Sequence, residues 1–241
     1  MGYFNNFPFA YYKFGNNTTF DLFQDLTPYV DIIDQFKDQV GAYRTVTILE
    51  GDRPDVLSEK LYNNPNLYWT FFLLNDKLRE SGWPLTNIEL TNIAQRDYPN
   101  TTLITRDEIF NSFDVGQTVI GVLSGATGVV LRKRVDFGQI IIETSDTFIQ
   151  DEIIYTVNGG GATESATLTS VVEEYNATHH YENEDGEYVD VDPFDPDPAL
   201  LTQVTFLDRY LASNEDLRDI KVFNNNVISQ VNKAFQKILR T

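Results

Sequence analysis

Residues 51–76 read GDRPDVLSEKLYNNPNLYWTFFLLND, and the fold turns on how that stretch is parsed. Gly51 supplies a turn. Asp52 is placed to cap a helix, Asp55 favours its positive end, and Pro54 is tolerated in the first turn. Leu57 and Leu61 then stack on one face. Asn64-Pro65 repeats the cap-and-proline start, and Leu67, Phe71 and Leu74 follow at helical spacing. Between Leu67 and Leu74 only Thr70 is polar, and a helix apolar nearly all round must be covered on more than one side. A helical-hairpin partner covers one side only, so a further surface is expected to grip the second helix.

Upstream, YRTVTIL at 43–49 is rich in β-branched residues and predicts a strand. Downstream, residues 77–112 look less regular. Trp83-Pro84 and Tyr98-Pro99 punctuate them, Leu85 to Ala94 forms a short helix, and Thr102 to Thr105 is the expected return strand. Residues 1–42 open with Phe4, Phe7, Phe9, Tyr11, Tyr12 and Phe14 set among Asn, Pro and Gly, with no surviving period. They predict an irregular aromatic arm, buried either against the chain's own core or against a partner. Thr27-Pro28 is a helix start, with the helix running to Val40.

Composition changes near Phe113. From 113 to 172 β-rich runs alternate with glycine turns: QTVIGVL, SGATG, VVLRKRV, QIIIET, EIIYTV, NGGG and ATLTSVV. Short strands at this spacing predict a small all-β barrel or sandwich, inserted as a separate unit. The glycines at Asn158–Gly161 lack the Lys, Ser/Thr and helix of a phosphate loop and are a hairpin turn. Residues 173–197 hold ten Asp or Glu and no Lys or Arg, with a hairpin signal at Asp185-Gly186. Asp190, Asp192 and Asp195 do not have EF-hand spacing, so this is a solvated acidic face. At the end of the chain Asn226 caps a helix whose stripe is Val227, Val231, Phe235, Ile238 and Leu239, a face expected to dock on the chain's own core, with a partner site as the alternative.

Of 241 residues, 36 are acidic and 18 basic, and the net charge of −18 repels a nucleic-acid backbone and anionic lipid alike. Without cysteine there is neither a disulfide framework nor a thiolate metal site. No secretory leader pattern and no run near the roughly 20 apolar residues of a membrane span is visible, so folding in the cytoplasm is expected. His179 and His180 are the only imidazoles. As neighbours in an extended segment they point to opposite faces and would not share a metal. There is no G-x-S-x-G elbow or H-E-x-x-H pair. The expectation is no catalytic residue, no cofactor and no metal.

The strand, Gly51-Asp52, Leu57-Ser58 on the first helix, the second helix and the terminal Asn75 together resemble a LysM module, a βααβ unit known for binding peptidoglycan or chitin. With Gly82-Trp83-Pro84-Leu85 added, the stretch is similar to the LysM-like baseplate wedge subunit of T-even-type contractile-tail bacteriophages. Asn214-Glu215 to Arg218, Ile220-Lys221-Val222 and the last helix are similar to that family's ending. The resemblance covers residues 43–99 and, more loosely, 174–241, while the β block and the arm depart from it. Together with the reading of the residues it gives an expected α+β chain, a LysM-like βααβ core with an inserted small all-β barrel or sandwich and a C-terminal helix, in four parts: an arm (1–42), a LysM-like domain with the following irregular segment (43–112), an inserted β domain (113–172), and an acidic hairpin with a C-terminal helical region (173–241). It also implies a non-enzymatic part of the virion's tail baseplate that joins wedges into a ring around the hub, contacting other wedge subunits and neighbouring copies of the wedge. Phe7, Phe9, Tyr11, Tyr68, Trp69, Phe72 and Trp83 are the candidate interface residues. A peptidoglycan-binding LysM module is the alternative.

Overall fold

Residues 1–86 and 213–241 together form one unit, and residues 87–212 form another. The computed structural model describes residues 7–13, 15, 19–25, 41–157, 161, 163–192 and 201–238. Phe4, Phe14, the helix expected from Thr27-Pro28 to Val40, residues 158–160 of the glycine-rich turn, Asp195, Leu239 and Arg240 lie outside them.

In the first unit the described residues of the aromatic arm include a strand pair where an irregular arm was expected. Phe9–Tyr12 (β1) pairs antiparallel with Asp21–Gln24 (β2), with Tyr11 opposite Leu22. The sequence hides this hairpin because both of its faces carry large apolar side chains, so the polar-apolar alternation of a strand is missing. Tyr43–Thr47 follows as β3. A turn closes from Leu49 O to Asp52 N (3.0 Å), and Gly51 sits there at φ +79°, in the left-handed region that glycine enters without strain.

Helix α1 (Pro54–Tyr62) has Pro54 in its first turn, as expected, but its N-cap is Arg53, with no side-chain cap. Asp52 instead pairs with Lys60 at 2.7 Å, one position too early to cap. Asn63, left-handed at φ 53°, ends the helix. The expected second helix is divided. A 3-10 turn, Pro65–Leu67, is capped by the Asn64 side chain accepting from Asn66 N, and α2 (Trp69–Leu74) comes after it. Ser58 Oγ donates to Asn64 O (2.7 Å), which ties α1 to that turn. Thr70 is fully buried and donates its hydroxyl to Leu67 O (2.7 Å), so the one polar residue of the apolar run is satisfied locally. Helix α3 (Asp76–Ser81) completes this part.

The second unit opens with α4 (Asn87–Asp97). Six strands follow: β4 (Thr101–Thr105), β5 (Thr118–Gly121), β6 (Thr127–Arg134), β7 (Gln139–Glu143), β8 (Ile153–Val157) and β9 (Thr163–Glu173). They close a barrel in the order β4-β7-β6-β5-β8-β9. Leu103, Phe113, Val119, Ile140, Ile142, Ile154 and Leu168 fill it and are all fully buried. Thr102–Thr105, the expected return strand, is part of this barrel and bridges β7 and β9. After the barrel β10 (Thr178–Glu182) is flanked by β11 (Tyr188–Val189) and β12 (Thr202–Thr205), with Gly186 at φ +76° in the expected turn. Helix α5 (Phe206–Glu215) leads the chain back toward the first unit's sequence.

The partner of β3 is β13 (Asp219–Phe223), antiparallel, with Val46 opposite Ile220 and Arg44 opposite Val222. Two asparagines and an arginine fasten this late segment to the early one. The Asn75 amide donates to Lys221 O and accepts from Lys221 N, both at 2.8 Å, as a strand neighbour would. Asn214 does the same to Leu85, accepting from its N–H (2.7 Å) and donating to its carbonyl (3.1 Å). Buried Arg218 donates to Ile48 O and is itself held by Glu215.

Helix α6 (Asn225–Ile238) begins one residue before Asn226, which therefore lies in the first turn and is not its cap. Its Val227, Val231 and Phe235 are buried with Phe7, Leu67, Trp69 and Phe223. On the other side of α2, Phe71 joins Ile48, Leu57, Leu78, Ile220 and Val222 in a separate core cluster. The two-sided cover that α2 demanded is thus supplied within the chain.

Candidate protein-interaction surface

The seven candidate interface residues fall into three groups. Phe7 and Trp69 are core side chains. Trp69 stacks on Phe235 with ring centroids 4.2 Å apart, and Phe7 meets the same ring edge-on at 6.2 Å. Tyr68, Phe72 and Trp83 are half-buried against the cluster around Phe71, and Trp83 Nε1 donates to Asp52 O (2.6 Å). Only Phe9 and Tyr11 stand out in solvent, 67% and 73% exposed.

Directly opposed residues of an antiparallel pair share a face. Phe9, Tyr11 and Leu22 therefore lie on one face of the β1-β2 hairpin, and Tyr12 and Phe23 lie on the other. Leu22, Tyr12 and Phe20 are also more than half exposed. Phe20 and Leu22 were absent from the expected set, although the run from Phe20 to Phe23 carries the same aromatic signal as the arm before it. An isolated two-stranded hairpin is marginal in water unless something covers it, and single-molecule surfaces rarely keep such a patch without a use.

The barrel presents a second group of exposed aliphatics on a built frame. Glu152, fully buried, accepts from the N–H groups of Leu123 (3.1 Å), Ser124 (3.0 Å) and Ile149 (2.7 Å) and from the Ser124 hydroxyl (2.8 Å). Burial pushes its carboxyl up, but the donors outweigh it and hold the group below the usual carboxylate range. Gly121 is required beside it, since a Cβ there would lie 2.6 Å from Glu152 Oε2 and 2.3 Å from Ser124 Oγ. The clasp fixes two loops from which Leu123 and Ile149 project, 71% and 48% exposed.

His179 and His180 do not diverge. A bulge in β10 between Thr178 and His180 lets their Nδ1 atoms meet at 2.8 Å. Arg209 only donates, so His179 Nε2 accepts from it (2.9 Å) and the His179 proton sits on Nδ1, directed at His180 Nδ1. The His180 proton is then on Nε2, facing Glu182 at 2.8 Å. Burial, with Arg209 and Arg134 behind it, pushes His179 down to about 4. Both rings are packed, His179 on Phe206 and His180 flat on Tyr188. This relay joins β10 to α5.

Exposed apolar faces of this kind are where a protein surface makes contacts. Residues 13–100, less than half of the chain, match the family model of base plate wedge protein 53. That stretch is accordingly similar to a phage baseplate wedge subunit, a structural protein of the virion, and the match ends one residue before β4. No curated protein matches the chain. Among the described residues no helix is long and apolar enough to cross a membrane.

Proposed function

We propose that the chain is a non-enzymatic baseplate component that joins neighbouring wedges into the baseplate ring. It folds in the host cytoplasm and then contacts other wedge subunits and adjacent copies of the wedge, without nucleic-acid or membrane partners. The observation that carries this reading is the solvent-facing aromatic hairpin, with Phe9 and Tyr11 as its anchors, lying in and beside a stretch similar to a wedge family. Permanent interfaces are commonly more than about 2,000 Å² and hydrophobic, and their anchors are aromatic. On this reading β3, α1, α2 and β13 are a LysM-like βααβ core used as a scaffold for protein contacts, and the barrel is an insertion between its second helix and second strand.

Replacing Phe9 and Tyr11 together by Ser tests the proposal. The purified variant is expected to keep its melting temperature while closed rings, counted by electron microscopy of assembling baseplates, fall sharply. Normal ring yield overturns the proposal. A peptidoglycan-binding module rests on the same βααβ core but gives the hairpin no role. Saturable pelleting of the chain with purified cell wall, lost on changing Asp52, Arg53 and Pro54, decides for that alternative.

A further inference from the structure

The charge of the chain is not evenly spread. Residues 87–212 contain 22 Asp or Glu and 6 Lys or Arg, so −16 of the net −18 belongs to the second unit. Its few cations are already engaged. Arg96 pairs with Asp97 and Arg132 with Glu174. Lys133 is held by the carbonyls of Ile109, Phe110 and Ser112, Arg134 by those of Thr178 and His179, and Arg209 by His179. Arg106 too has a partner.

Within this unit the end of α4 and the end of β9 enclose a groove of about 310 Å³ lined by Gln95, Tyr98, Pro99, Glu173 and Tyr175. Its walls are fixed. Buried Glu174 accepts from the N–H and the side-chain amide of Asn100, whose carbonyl in turn accepts from Glu174 N at 2.8 Å. Tyr98 is braced from behind by Phe206, with centroids 4.4 Å apart, and by Tyr210, whose hydroxyl donates to Asp97. Gln95 Nε2 reaches the Tyr175 hydroxyl at 3.4 Å across the groove. Glu173 is laddered with Thr101 through its backbone, and its carboxylate, exposed at the groove's edge, makes no hydrogen bond or ion pair among the described residues.

We infer that this groove receives the cationic end of an arginine or lysine side chain from a neighbouring protein. An unpaired carboxylate beside two tyrosines is the chemistry that recognises such a group, through a charge-assisted hydrogen bond and the ring faces. The unit around it supplies the attracting field and leaves no cation of its own to spare. The identity of the bearer as a protein rests on the assembly reading above; the groove's preference for a cation does not.

The test is an amide NMR titration of the full chain with N-acetyl-arginine methylamide and N-acetyl-lysine methylamide, with the citrulline analogue as a neutral isostere. Saturable shifts confined to the groove, with Gln95, Tyr98 and Tyr175 the most affected, are expected from the two cations and not from citrulline. Glu173→Gln, which replaces an exposed unpaired carboxylate, leaves the rest of the spectrum in place and weakens binding on the order of tenfold. Tyr175→Phe, which keeps the ring, retains binding. Absence of localised shifts, equal shifts from citrulline, unchanged affinity of Glu173→Gln, or shifts produced instead by N-acetylglucosamine each overturn the inference. Cation binding by a chain whose hairpin variants still form normal rings sinks the assembly reading and leaves the groove standing.

Discussion

Glu152 and His179 show how single titratable groups are tuned by what the fold places around them. The donors around Glu152 lower its folded-state pKa, so its contribution to stability is present above the unfolded value of roughly 4.3 and is lost as pH falls through the folded value. Glu152→Gln turns one acceptor oxygen into a donor facing N–H groups and should destabilise the chain by about 2–3 kcal/mol in urea denaturation at neutral pH. His179 acts in a different window. Its pKa is pushed down to about 4 from an unfolded value near 6.5, so between those limits the unfolded chain binds a proton that the native one refuses. Stability therefore falls as pH is lowered through that range, by a slope of at most about one proton. His179→Gln should flatten the melting-temperature profile there while leaving the carboxylate-driven loss at lower pH intact.

Among the elements, α2 and the β1-β2 hairpin carry similar aromatic sequence and differ in what covers them. Trp69 lies in its own unit's core beneath Phe235, so Trp69→Ala should lower stability by about 3–5 kcal/mol, measured by chemical denaturation. The exposed Phe9 should change stability by no more than about 0.5 kcal/mol on replacement by Ser. Asn75 links α2 to β13 through a side chain that imitates a peptide group. Asn75→Ala removes hydrogen bonds to Lys221 and Phe71 and should cost about 1–3 kcal/mol, while Ala substitution at neighbouring exposed Asp76 should have little effect.

For the whole molecule, the consequence of the topology is unequal independence. The barrel closes on itself through β4 and β9, and every strand in it finds its partners within residues 87–212. That segment expressed alone should unfold cooperatively, with melting followed by circular dichroism. Residues 1–86 alone should not, because β3 has its ladder partner in β13 and Trp69 has its cover in α6. A cooperative transition for residues 1–86 would contradict this account of the first unit.

The features legible in the sequence were those with local causes. Pro54 and Asn64-Pro65 mark helical starts because the proline ring and the asparagine side chain act on their own turns. The Val227-Val231-Phe235 stripe was visible because helical periodicity is written in consecutive residues. The excess of carboxylates needed only counting. Strand partners were not visible, since a β run carries its period but no address. Thr102–Thr105 and Ile220–Val222 were both eligible to return beside β3, and the barrel took one and left the other. Which residues face solvent was equally non-local. Trp69 and Tyr11 are alike as letters, but α6 folds over the first, and no described element covers the second. The sequence by itself determined the proline-marked helix starts, the amphipathic last helix and the acidic character. Tertiary structure decided the strand pairing, the meeting of the two histidines at a bulge and the exposure of the hairpin, because each depends on segments brought together from far apart in the chain.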